Sequence, residues 1–531
     1  MGESINANNK IKAFELFYYI YFLILFGARA IGFYDGQTIY NVLLLAGAAM
    51  FGIKIISTRH TLAECLIIIC FLGAGSITYA CSGEKGLLIY FTMMLGMKGI
   101  NEKKVMRLGL YILGISYFVL YVLSMTGLIQ ELNHMNNRSG FGYIMRHSLG
   151  YPYPNTTHTT LLILIMLFFY LYKAESFSKL VRASLIAMLL SCFIYVYTVS
   201  LTGLISISIY LVANLYLHAR KERSKLENAL ILMLFPATVI FSIAGPLLAT
   251  GDAFEFMNKL LHKRYEYALY FLTNEKITPF GSYFGETPTS WYMLDNSFLY
   301  LFLQLGIVSF ILICSIYLVW IKYIVKNNKK PELAIMITFC FIGMSDPFLF
   351  NLSYKNLTFV FIGAWLYDTL SKKAENFPEL LRKEIILLPL GEKEIVVPDI
   401  ADFKLHKAFV KTIAHISCNF LKFALLFAVS FILASGIYYV STTEPKVLYT
   451  NTEIADPYFN HKNIEMTQAD VDAALAKGDI VEGYHSSDPT MYIFKKTAPH
   501  MEYIRSVITC GFFAGIICVL IFSIGRFIRK R

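Results

Sequence analysis

Two stretches of this chain carry side chains suited to holding an anion. One is Arg146-His-Ser-Leu-Gly-Tyr-Pro-Tyr-Pro-Asn155, preceded by Arg138; the other is His262-Lys-Arg-Tyr-Glu-Tyr267, followed by Asp295-Asn296 at the head of an apolar run. Guanidinium groups are always charged and present a planar fork that grips two oxygens at once, so Arg138, Arg146 and Arg264 together suggest a phosphate site. The plain alternative is that each cation is solvated or paired with Glu266 or Asp252. Pro152 and Pro154 fix their own φ and bias their predecessors toward extended backbone, which holds Tyr151 and Tyr153 in place. Rings held there stack on sugar or belong to an interfacial aromatic belt. A base for a hydroxyl nucleophile is sought among His147, His158, His262, Glu266 and Asp295. His158 stands at the lip of an apolar run, where a structural histidine is the competing reading. Asp295 stands at a helix start, where a carboxylate or amide most often caps free N–H groups.

The elements that position these residues are membrane spans. Of 531 residues 56% are hydrophobic and only 16% charged, far from the composition of soluble domains. A span needs about 20 mostly apolar residues. Runs of that kind cover Ala13 to Ile31, Thr38 to Ile56, Thr61 to Ala80, Gly86 to Met97, Leu108 to Ile129, Thr157 to Tyr172 and Ala183 to Val199. Others cover Thr202 to Leu217, Ala229 to Ala249, Ser297 to Trp320, Leu333 to Phe350, Leu357 to Leu370, Leu421 to Val440 and Ile504 to Phe527. The expected fold is therefore an all-α polytopic bundle of about fourteen transmembrane helices.

Lysine and arginine fall in short blocks between alternate runs, among them Lys98 to Arg107, Arg220 to Lys225, Lys322 to Lys330 and Arg526 to Arg531. By the positive-inside rule these face the cytoplasm, as do both termini of a multi-pass protein of the cell membrane. The same distribution explains the net charge of +11 without nucleic acid as a partner. The opposite side receives three longer segments, 130–156, 251–296 and 441–503, and the arginines there stand out against a face normally poor in them. Residues 1–370 read as a core of about twelve spans, 371–420 as a cytoplasmic linker and 421–531 as a two-span unit with a small outside segment. In that segment Thr467-Gln-Ala-Asp-Val-Asp predicts a short capped helix. The nine cysteines are scattered, without a CxxC pair, so zinc and disulfide frameworks are not expected. The first apolar run reads as a retained span rather than a signal peptide.

The loop motifs carry a resemblance. Arg146 to Asn155, then Arg264-Tyr-Glu-Tyr-Ala, Thr278-Pro-Phe-Gly281 and Leu294-Asp-Asn-Ser-Phe-Leu-Tyr-Leu-Phe-Leu-Gln-Leu-Gly306, resemble the Wzy-type O-antigen and capsule polymerases of the O-antigen ligase superfamily. The pattern of spans is similar over Ala13 to Leu370. Two departures are visible: Tyr153 stands where relatives often carry His before Pro-Asn, and Ser200-Leu-Thr-Gly203 replaces a Ser-Arg-Thr-Gly turn. The first leaves the base unassigned by the family; the second removes one expected phosphate contact, for which Arg138 is a reserve.

The resemblance implies a membrane glycosyltransferase of polysaccharide biosynthesis. It would transfer a growing glycan from one undecaprenyl diphosphate carrier to a sugar hydroxyl on another, outside the membrane. Charge develops on the departing diphosphate, so Arg146 and Arg264 are expected to stabilise the transition state, with His158 or Glu266 as base. Arg138, Tyr151, Tyr153, Asn155, Asp295 and Asn296 are expected to bind substrate. No carboxylate cluster suited to Mg²⁺ or Mn²⁺ occurs on the outside segments, so neither metal nor cofactor is expected. The expected partners are the undecaprenyl-diphosphate-linked oligosaccharide, the lipid bilayer and, at the two-span unit, a chain-length regulator or flippase. Two alternatives compete: an O-antigen-ligase-like enzyme delivering glycan to another acceptor, and a transporter or flippase. The second predicts charges deep in the spans, whereas here they cluster at the boundaries.

Overall fold

A hydrocarbon environment leaves no water for backbone N–H and C=O groups, so apolar runs of this length must satisfy themselves as helices. The computed structural model shows that outcome. It describes residues 10–129, 131–132, 134–138, 142–285, 287–288 and 292–397, and then 412, 415–416, 418–444, 448–453, 463–465, 476, 492–497 and 499–529. Among these are eleven helices long and apolar enough to cross a membrane, from Ala13–Ala30 to His500–Ser523. The chain is an all-α, multi-pass membrane protein. Start signals are local: Thr61 and Ser224 each accept a hydrogen bond from the N–H of a glutamate three residues on, Glu64 and Glu227, whose carboxylates return the contact.

The other three predicted spans are also helical but shorter. Gly86–Leu95, Lys330–Gly343 and Thr358–Lys372 have 10, 14 and 15 residues. At about 1.5 Å per residue none reaches the thickness of a hydrocarbon core of about 30 Å. The run predicted from Ser297 to Trp320 is two helices, Ser297–Leu303 and Gly306–Lys326, separated at Gly306, whose φ is +86°.

The chain forms two compact units. The first comprises Met1–Ser116, Leu162–Lys173 and Ile205–Val397. Its centre is aromatic: Tyr18, Tyr21, Phe22, Tyr90 and Tyr354 are all at most 2% exposed. The irregular connection between Gly343 and Thr358 is kept there by side chains that serve its backbone. The Tyr90 hydroxyl donates to the Phe348 carbonyl (3.2 Å), Asn356 Nδ2 to the Leu349 carbonyl (2.9 Å) and Arg29 Nε to the Ser353 carbonyl (3.4 Å). Part of the segment predicted as linker is ordered in this unit. Glu394–Val396 pairs antiparallel with Lys10–Lys12, and Glu384–Ile385 with His60–Thr61.

The second unit comprises Tyr117–Leu161, Ala174–Leu204 and Pro398–Arg531. Its two C-terminal helices, Phe420–Ser441 and Pro499–Arg529, pack closely enough that a Cβ on Gly511 would lie 2.1 Å from Ser435 Oγ. A five-stranded sheet orders His134–Arg138, Gly142–Arg146, Tyr492–Thr497, Leu448–Glu453 and Asn463–Glu465. Two segments that the sequence reads as separate, 130–156 and 441–503, therefore share one sheet. Arg505, 5% exposed, reinforces the join: Nε donates to the Val196 carbonyl (3.0 Å) and Nη2 to that of Met145 (2.9 Å). The helix predicted at Thr467 lies outside the described residues.

Candidate functional site

In the first unit the helix Arg264–Asn274 carries Arg264, Ala268 and Phe271 at spacings of four and three, hence on one face. Ala268 and Phe271 pack against Leu299 and Leu303 of the short helix Ser297–Leu303. Burying that face brings Arg264 to the start of the neighbouring helix. There its Nη2 lies 3.4 Å from Asp295 Oδ2, and Nη1 donates to the Leu261 carbonyl at 3.3 Å. The guanidinium is only 18% exposed, and its Nε is buried without a hydrogen-bond partner. An unserved donor on a buried cation is costly, and it is what an incoming oxyanion would satisfy. Two residues before the helix, His262 and Lys263, take φ of +51° and +66°. Left-handed backbone at consecutive non-glycine positions is strained and is typical of sites where a side chain is held for function.

The same helix start orders the other residues singled out there. Glu266 accepts from Asn258 Nδ2 (3.2 Å) and from the Tyr292 hydroxyl (3.3 Å), so its carboxylate is occupied by neutral donors. Asn296, rather than Asp295, is the helix cap: its Oδ1 accepts from the N–H groups of Phe298 and Leu299, each at 3.0 Å. Its Nδ2 donates to the Met344 carbonyl at 3.2 Å. Asp295 is thereby left free of capping and faces Arg264. Burial pushes its carboxyl up, and the guanidinium pulls it part of the way back.

A residue absent from the sequence reading joins this cluster. Ser297 Oγ donates to the Asp346 carbonyl (2.5 Å) and accepts from the Leu349 N–H (3.2 Å), so the connection after Gly343 is stitched to the Asp295-Asn296-Ser297 turn. Asp346 Oδ1 accepts from the Phe348 N–H at 3.0 Å. Burial and the Asp295 charge push the Asp346 carboxyl up, against the pull of Lys355 and Arg264. Lys355 on the same connection is pushed down by burial and by Arg29, against the pull of Asp346. The sequence held a signal: Ser345-Asp-Pro-Phe interrupts an apolar run with a charge and a proline, each out of place in an uninterrupted span.

The Thr278-Pro-Phe-Gly281 motif anchors the far end of the loop. Ile307 and Val308 donate their N–H groups to the carbonyls of Thr278 (3.0 Å) and Pro279 (2.9 Å), serving the open start of the Gly306–Lys326 helix. Gly281 has φ of +82°, and a Cβ there would lie 2.0 Å from the Gln304 carbonyl oxygen. Only glycine meets both demands.

The second unit holds the other predicted residues. Arg146 ends the strand Gly142–Arg146; Nε donates to the Thr198 carbonyl (2.8 Å) and Nη2 to Asn155 Oδ1 (2.7 Å). Asn155 thus orients a guanidinium. His158 is fully buried, with Nδ1 3.3 Å from Thr198 Oγ1 and Nε2 3.0 Å from Ser191 Oγ. Gly203 exists beside it because a Cβ would lie 2.5 Å from the imidazole. Tyr151 is 2% exposed, 5.9 Å centroid to centroid from Tyr117, whereas Tyr153 is 45% exposed and stacked at 5.0 Å on His134. Of the two rings Tyr153 is the one open to a ligand. Arg138 pairs with Gly142 in the sheet, and its side chain lies outside what the structure describes. His147 Nδ1 lies 3.0 Å from Glu131 Oε2, and this contact holds the Glu131 carboxyl below its usual range although burial opposes it.

Compared with protein-family models, with curated proteins and with solved structures, the chain matches none.

Proposed function

We propose that this protein is a polysaccharide polymerase joining undecaprenyl-diphosphate-linked oligosaccharide repeat units at the outer face of the cytoplasmic membrane. Its lysine- and arginine-rich helix ends and both termini then face the cytoplasm. The observation that carries the reading is the Arg264 guanidinium, buried beside Asp295 with Nε left unserved. A lipid diphosphate supplies the missing acceptor, with its isoprenoid tail among the spans and its head group at the boundary.

The reaction balances without a redox partner. The hydroxyl of the acceptor sugar forms the new bond to the anomeric carbon of the donor glycan. The bond from that carbon to the diphosphate breaks, and the electron pair leaves on phosphate oxygen, where Arg264 stabilises the charge. The acceptor proton passes to a carboxylate. Asp346 suits that task best, because its segment is stitched through Ser297 to the turn that carries Asp295, and burial there raises its carboxyl above the ordinary range, which makes it the stronger base. His158 suits it less, since both ring nitrogens already meet hydroxyl groups, and Glu266 is held by Asn258 and Tyr292.

The test is reconstitution. Purified protein given a lipid-diphosphate-linked oligosaccharide as donor and acceptor is expected to produce a ladder of multiples, which Arg264→Ala and Arg146→Ala each abolish without loss of membrane insertion. A single addition to a different acceptor identifies a ligase, and movement of the lipid across the bilayer without new bonds identifies a transporter.

A further inference from the structure

The ordered part of the segment predicted as linker is fastened to the ends of three spans of its own unit. The Lys383 carbonyl accepts from the Leu62 N–H (3.1 Å) at the start of Leu62–Ser82, and the Lys393 carbonyl from the Ala13 N–H (2.8 Å) at the start of Ala13–Ala30. Between them the Leu388 N–H donates to the Ile56 carbonyl (2.9 Å) at the end of Thr38–Ile56. Helix ends leave such groups without partners, so this strap serves as their cap. Gly391 permits the approach, since a Cβ there would lie 2.1 Å from the Ser57 carbonyl oxygen. The strap is thereby held at the level where three spans end, which is the boundary of the bilayer.

Its acidic side chains meet cations of the helix ends. Glu392 lies 2.7 Å from Lys12 and 3.5 Å from Arg59, Glu394 2.9 Å from Lys10 and Glu384 3.8 Å from Arg59. Its apolar side chains are left uncovered: Leu380 and Leu387 are 70% and 73% exposed, and Ile385, Leu388 and Leu390 are exposed as well. Exposed leucines scattered singly need no explanation, but these fall together in one short segment that is not a span. They also continue a surface that already faces lipid. Ile56, bonded to Leu388, is exposed, as are Val42 and Leu45 on the same helix and Leu66 and Ile69 on the next. Arg382 and Lys383 are exposed beside Leu380 and form no ion pair among the described residues; with Glu379 next to them the group stays positive. Apolar side chains flanked by cations, at the end of a span, are the composition of an interfacial segment.

We propose that residues 380–390 are a membrane-docking surface whose partner is the lipid leaflet in which these spans end. Leu380, Leu387 and Leu390 enter its acyl chains, and Arg382 and Lys383 meet its phosphates. The strap then couples that leaflet to the ends of three helices through the backbone bonds at Lys383, Leu388 and Lys393. The proposal is independent of the polymerase reading and of which side of the membrane the leaflet faces.

Photo-crosslinking reads the partner directly. Full-length protein carrying the photoreactive amino acid p-benzoylphenylalanine in place of Leu380 or Leu387, one at a time, is reconstituted into vesicles of phosphatidylcholine and phosphatidylglycerol, irradiated and weighed intact by mass spectrometry. Both leucines are mostly exposed, so the exchange leaves the packing undisturbed. The same exchange at Leu45, exposed midway along Thr38–Ile56, marks labelling by acyl chains, and at Glu394, held by Lys10, it marks the side turned to the helix ends. A mass increase of one phospholipid is expected at Leu380 and Leu387, as at Leu45, and not at Glu394. The adducts are expected to be richer in phosphatidylglycerol than the vesicle, an excess that Arg382→Gln together with Lys383→Gln removes. Adducts of both leucines to the chain itself or to a second copy, or none while Leu45 is labelled, overturn the proposal, as does equal lipid labelling at Glu394. Absence of the phosphatidylglycerol excess overturns the part given to the two cations.

Discussion

Replacing Asp346 by asparagine is expected to make the protein more stable and less active, both in a pH-dependent way. The carboxyl sits above its ordinary range in the folded protein, because it is buried near the Asp295 charge. A raised carboxyl binds its proton more tightly in the folded than in the unfolded chain. Stability therefore falls as pH rises from the ordinary carboxylate range through the raised one, and the whole penalty is present above that window. Each unit by which the carboxyl is raised costs about 1.4 kcal/mol of stability there. Asparagine retains the oxygen that accepts from the Phe348 N–H and removes the charge. It also removes a partner of Lys355, which offsets part of the gain. Thermal unfolding of the detergent-purified protein is expected to show a midpoint higher by a few degrees for Asp346→Asn at pH 8, with the difference vanishing at pH 4. Ladder formation by the same preparation at pH 8 is expected to fall about 100-fold or more, the usual contribution of a general base. Equal unfolding midpoints at pH 8 refute the electrostatic account of this carboxyl, and an undiminished rate refutes its role as base.

Arg264→Lys keeps the charge but loses the fork and the Nε donor; the initial rate of glycan transfer is expected to fall about 100-fold, with the protein still monodisperse. Asn296→Ala removes the one oxygen that accepts from two N–H groups at the helix start, together with the donor to the Met344 carbonyl, a loss of about 2–4 kcal/mol read as a lower unfolding midpoint. Asn296→Asp is expected to recover the capping share. Gly281→Ala places a Cβ against the Gln304 carbonyl at a left-handed position, and size-exclusion chromatography is expected to show little folded protein.

The long helices were readable in the sequence because a bilayer imposes a length and a polarity that no tertiary contact overrides. The shorter ones are legible as apolar runs, but where the run from Leu333 leaves its helix is not. Residues 344–350 begin and end on apolar side chains, and their irregular backbone is tolerated because Ser297 and Tyr90, remote in sequence, and Asn356, seven residues from Leu349, satisfy it. Asp346 is hidden in the sequence for the same reason, since it lies inside the apolar run from Leu333 to Phe350. The pairing of Gly142–Arg146 with Tyr492–Thr497 joins segments almost 350 residues apart, a contact on which local periodicity is silent. At the site, residue types identified Arg264 and left the cap between Asp295 and Asn296; only packing of Ala268 and Phe271 on Leu299 and Leu303 shows which carboxylate the arginine meets.

The close approach of Gly281 to Gly306 has a consequence for the arginine. With Thr278 and Pro279 bonded to Ile307 and Val308 at one end, and Asn296 fastened to the Met344 carbonyl at the other, the chain between them leaves and rejoins the fold at two fixed points. Tyr292 and Asp295, close to the second point, reach Glu266 and Arg264. An insertion or deletion between the two points is therefore felt at Arg264 before the helices feel it.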